Sequence, residues 1–108
     1  MNISVKSLGE VLVLRPDETR LDAAVAVQFK DRMRSLIEDA PLNVVLDLSC
    51  VAFMDSSGLG AVAAVRKNIG SEKRFVLVGL TKAVQNVFKL TRMDSVFEIF
   101  ETAEMAVK

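Results

Sequence analysis

Apolar and polar positions alternate at the start of the chain, Ile3 and Val5 against Ser4 and Lys6. The turn-prone Leu8-Gly9-Glu10 and the apolar run Val11-Leu12-Val13-Leu14 follow. A two-residue period, a turn and a second run predict an antiparallel hairpin. Pro16 and the polar Asp17-Glu18-Thr19-Arg20 end it, because proline has no amide hydrogen to give to a ladder. The period then becomes helical: Ala26, Phe29, Met33, Leu36, Ile37 and Ala40 share one face, with Asp22 as the expected N-cap. A helix is therefore predicted over residues 23–39, stopped by Pro41, and residues 44–48 read as a buried central strand.

After Met54 the small polar residues Asp55-Ser56-Ser57-Gly58 open a second helix, Arg66 and Lys67 sit near its end, and Gly70-Ser71 closes it. Cations at that end complement the helix dipole. Between Gly58 and Val65 the segment is apolar on every side, and Gly58, Gly60, Ala61, Ala63 and Ala64 are expected to offer a flat surface on which another protein can lie. Phe75 to Val78 predicts a further buried strand and Gly79 a turn. Thr81 caps a helix carrying Val84, Val87 and Phe88, Val96 to Phe100 a last strand, and Thr102 a short terminal helix through Val107. Strands alternating with helices after an opening hairpin imply an α/β domain, a mixed sheet with about four helices packed against it.

Composition narrows the chemistry. The 108 residues suit one domain, with 14 basic residues balancing 14 acidic ones, so neither nucleic acid nor an anionic membrane is an expected partner. No apolar span is long enough for a membrane helix, and no secretory signal opens the chain. One cysteine, Cys50, agrees with a reducing compartment, and the cytoplasm is expected; at a strand end it reads as a small buried hydrophobe. The chain has no histidine, which removes Ser-His and Cys-His catalysis and a Cys/His zinc site. Gly58-Leu59-Gly60 is too short for a phosphate-binding fingerprint, and Met33, Met54 and Met93 read as core filler. No enzyme, metal or cofactor of its own is expected.

Leu46-Asp47-Leu48-Ser49 and Val51-Ala52-Phe53-Met54-Asp55-Ser56-Ser57-Gly58-Leu59-Gly60 resemble the signature of the anti-sigma-factor antagonists, the STAS domain family. The resemblance extends over nearly the whole chain and implies one STAS domain over residues 1–108. It departs in the loop Arg15 to Arg20, which is slightly longer than the family's. It implies a non-enzymatic switch that binds, when unphosphorylated, an anti-sigma factor that is also a serine kinase, freeing the sigma factor. Phosphorylation of Ser56, the first serine after the aspartate, would inactivate it, and a PP2C-type phosphatase would restore it. Asp22, Asp55, Ser57, Gly58, Leu59 and Gly60 are the implied partner-binding residues, and the free protein is expected to be monomeric.

Two other readings share parts of the pattern. A STAS domain can also serve as an accessory subunit of a transporter or signalling assembly, since fold does not settle function. A phosphoacceptor receiver would use Asp55, Asp17, Glu18 and Lys82, yet that fold alternates strand and helix from its start. Ser57, Thr91 and Ser95 are the rival acceptor hydroxyls.

Overall fold

The computed structural model describes residues 1–107. Strands β1 (Ile3–Leu8) and β2 (Val11–Pro16) form the expected hairpin, turning through Gly9 at φ 61, a conformation that favours glycine. Pro16 is the last residue of β2 rather than an interruption. The ladder from β2 to its other neighbour has already ended at Leu14, so the missing amide hydrogen costs nothing there.

Helix α1 runs Ala26–Glu38, shorter at its start than the sequence pattern implies. Asp22 binds the amide of Ala24 at 3.1 Å through its side chain, and its carbonyl accepts from Val25 and Ala26. That local turn competes with helical geometry, so Asp22 caps a turn, and Val25 stands at the helix start. At the other end Lys73 Nζ donates to the carbonyls of Ile37 and Ala40 and so ties down the chain where it leaves the helix.

Strands β4 (Asn43–Asp47), β6 (Arg74–Val78) and β7 (Glu98–Phe100) complete a five-stranded sheet in the order β1-β2-β4-β6-β7, antiparallel only in the hairpin. The strand expected over residues 96–100 is shorter because Met93–Ser95 form a 3-10 turn that carries Val96 to the surface. Two further strands escape periodicity altogether: β3 (Arg20–Leu21) and β5 (Phe53–Met54), two residues each, pair parallel in a separate small sheet.

Helices α2 (Ser56–Ile69) and α3 (Lys82–Leu90) join α1 over one face of the large sheet. There Phe29, Met33, Leu46, Val62, Leu77 and Phe88 form the main core. Five valines of the other face, Val11, Val13, Val45, Val76 and Val78, pack with Ala106 of the short helix α4 (Ala103–Ala106), whose start Thr102 caps by accepting from Met105. Met33 and Met54 are core residues, and Met93 packs partly buried beside them. Cys50 is exposed, contrary to the sequence reading: Leu48 and Val51 take the inward positions on either side and leave it in the turn between them.

Candidate functional site

The signature segment enters through β5 and turns directly into α2. Ala52 and Phe53 both donate to the carbonyl of Thr19, and Leu21 pairs with Met54, so the start of α2 is fixed against β3. Gly58 makes that approach feasible. A Cβ placed there would lie 1.9 Å from the Leu21 carbonyl oxygen, a distance no side chain tolerates.

Asp55 is the N-cap of α2. One carboxylate oxygen accepts from Gly58 N at 2.9 Å and the other from Ala23 N at 3.2 Å, tying the turn that precedes α1 to the start of α2. The amide of Gly58, then those of Ala23 and Ser57, hold its carboxyl below the ordinary carboxylate range. Because Asp55 performs the capping, the adjacent serines are relieved of it, and Ser56 and Ser57 both stand exposed.

The apolar stretch of α2 is two-sided, which corrects the expectation that Gly58, Gly60, Ala61, Ala63 and Ala64 all offer one flat surface. Gly58, Leu59, Ala61, Val62 and Val65 are buried against the core, whereas Gly60 is exposed and Ala63 and Ala64 are half-buried. Leu59 and Gly58 act here as packing residues. Of the small residues, the accessible ones are therefore Gly60, Ala63 and Ala64.

Two residues outside the predicted site lie beside it. Arg20 donates through Nε to Asp22 at 3.1 Å, and its guanidinium stands 4.3 Å over the ring of Phe53, which is 42% exposed. Arg20 and Phe53 are opposed across the β3–β5 pair, which is too short to leave a period in the sequence.

Two of the three rival hydroxyls are engaged, while Ser57 is exposed like Ser56. Thr91 donates to Val87 O at 2.7 Å and Ser95 to Arg92 O at 2.8 Å. The receiver reading fails on topology, because a receiver has the all-parallel order 2-1-3-4-5 and this sheet opens with an antiparallel hairpin. Asp17 is engaged by Ser4 and Arg15 instead.

The STAS domain family model matches residues 2–106. The chain belongs to the STAS domain family. This STAS domain is 29% identical over 87 residues to the anti-sigma-F factor antagonist RsfB of Mycobacterium tuberculosis, covering 81% of the chain and 71% of that protein. A crystal structure of an anti-sigma factor antagonist from Mycobacterium paratuberculosis superimposes with a TM-score of 0.88 at 27% identity, covering 98% of this chain and 90% of that one. An anti-sigma-factor antagonist (STAS) domain protein from Planctomyces limnophilus gives a TM-score of 0.85 at 24% identity, over 96% and 93% of the two chains, a likeness of fold alone. Antagonists of this family are non-enzymatic regulators, and no helix among the described residues of this STAS domain is long and apolar enough to cross a membrane.

Proposed function

We propose that residues 1–108 act as a single anti-sigma factor antagonist domain. When unphosphorylated it docks an anti-sigma factor serine kinase through the surface around the start of α2 and so releases the sigma factor. Phosphorylation of Ser56 by that kinase turns the antagonist off, and a PP2C-type phosphatase resets it in the cytoplasm. The free protein is a monomer. Asp22, Asp55, Ser57 and Gly60 contribute the polar rim and the close approach of the docking surface, and Gly58 and Leu59 hold it from beneath.

The observation that carries this reading is the division of labour at the helix start: Asp55 caps it by accepting from the Gly58 amide, and the hydroxyl beside it is left exposed. Similarity to RsfB supports the class of partner. Phosphoserine adds about 1.5 to 2 negative charges, while a helix N-terminus favours such charge by only about 0.3 to 1 kcal/mol, against which Asp55 works. The fold is therefore unchanged by the modification. Pressing a dianion against an apolar or acidic partner surface costs several kcal/mol, and about 4 kcal/mol weakens binding nearly a thousandfold.

Incubation with the cognate kinase and ATP, followed by phosphopeptide mass spectrometry, tests the assignment. Label on Ser56, absent from Ser56→Ala, is the expected result; label on Ser57, Thr91 or Ser95 in its place contradicts it.

A further inference from the structure

Arg20 holds an unusual position for a surface cation. It is bound to Asp22 and stacked on Phe53, yet its side chain is 61% exposed, whereas that of Asp22 is 18% exposed. The stretch Asp22–Ala24 joins it to the start of α2. Asp22 takes Arg20 with one oxygen and the amide of Ala24 with the other, while Asp55 takes the amide of Ala23. Ser56 follows Asp55 directly. Two carboxylates thus stand near the start of α2, and Arg20 is bound to one of them, Asp22.

We propose that Arg20 is the residue through which the domain reads a phosphate on Ser56: the guanidinium leaves the Phe53 ring and Asp22 and pairs with the phosphoryl oxygens. This rests on the assignment of Ser56 as the acceptor and adds how the charge changes the surface. A single carboxylate and a ring face in solvent hold an arginine weakly. A dianion with three acceptor oxygens fits the guanidinium fork two bonds at a time and outcompetes both. Asp22 and Asp55 make a bare dianion unfavourable at this spot, which strengthens the pull on Arg20, held across the β3–β5 pair beside the start of α2. Phe53 is then uncovered and Asp22 loses its counterion, so the docking surface changes in shape as well as in charge.

The test uses the full chain with phosphoserine installed at position 56 during synthesis, so that no kinase is involved. In the unmodified protein the Arg20 Nε–H proton is shifted upfield by the Phe53 ring, and Phe53→Leu removes that shift. Phosphoserine at position 56 moves the resonance downfield to the position seen in Phe53→Leu or beyond. By phosphorus NMR, the second ionisation of the phosphate lies about one unit lower with Arg20 present than in Arg20→Gln, and Arg20→Lys restores part of the difference. An Arg20 resonance that stays in place on phosphorylation, together with superimposable titrations of the wild type and Arg20→Gln, overturns the inference. If the kinase passes over Ser56, the proposed function falls while this result stands; if the phosphate ignores Arg20, only this inference falls.

Discussion

Helices α2 and α3 both begin just after a strand with a hydroxyl residue at the start, and the two hydroxyls have opposite fates. Thr81, ahead of α3, donates its hydroxyl to the carbonyl of Val51 at 2.8 Å and holds the loop that leads into β5. Ser56, first in α2, is left exposed because Asp55 caps the helix in its place. A hydroxyl with a structural bond is expensive to modify, since a buried carbonyl loses its donor. A hydroxyl relieved of that duty can accept a charge without disturbing the fold.

The contrast can be broken most forcefully at the glycines of α2. Gly58→Ala forces a Cβ into the Leu21 carbonyl, and a loss of about 3 kcal/mol is expected, enough to lower Tm by roughly 15 °C in a calorimeter. Gly60→Ala, with nothing within 4 Å of the added carbon, is the control. It should raise stability by about 0.5 to 1 kcal/mol, because alanine is the better helix former.

Next in size is Thr81→Val, which keeps the shape and leaves Val51 O without its donor. Urea unfolding should register a loss of about 1 kcal/mol. Loss of the Asp55 cap shows as pH dependence. A carboxyl depressed in the folded state adds stability above its unfolded value, near 3.8, and loses it as pH falls through the lower folded value. Unfolding curves of the wild type and Asp55→Ala should therefore lie apart at neutral pH and converge as pH drops below about 4. Ser56→Ala should be the mildest change, within about 0.5 kcal/mol of wild type in the same urea experiment. A larger loss would mean that Ser56 carries structure, as Thr81 does.

Long periodic segments were legible from the chain alone. The hairpin, α1, α3 and the central strands announce themselves through a repeated pattern of apolar positions, and α2 through its start and stop residues. The pair β3–β5 does not, since two residues make no period, and with it went Arg20 and Phe53, which only that pairing brings together. The start of α1 was misplaced because Asp22 bonds locally to Ala24, an alternative that a cap-and-period reading cannot distinguish from a helix start. Gly58 was legible as small but not as indispensable. Its reason is a carbonyl on another strand, remote in sequence. Cys50 was misjudged because burial in a turn depends on which neighbour points inward, and Leu48 and Val51 had the better claim.

The account turns on a free hydroxyl whose conversion to an anion repels the partner while the domain stays folded. Calorimetric titration of the cognate anti-sigma factor kinase with wild type, Ser56→Ala and the phosphoserine form tests this directly. The account predicts nearly equal affinity for the first two, and about a thousandfold weaker binding for the third with an unchanged unfolding curve. Equal affinity for all three forms, or a phosphoserine form that binds poorly because it has unfolded, would contradict it.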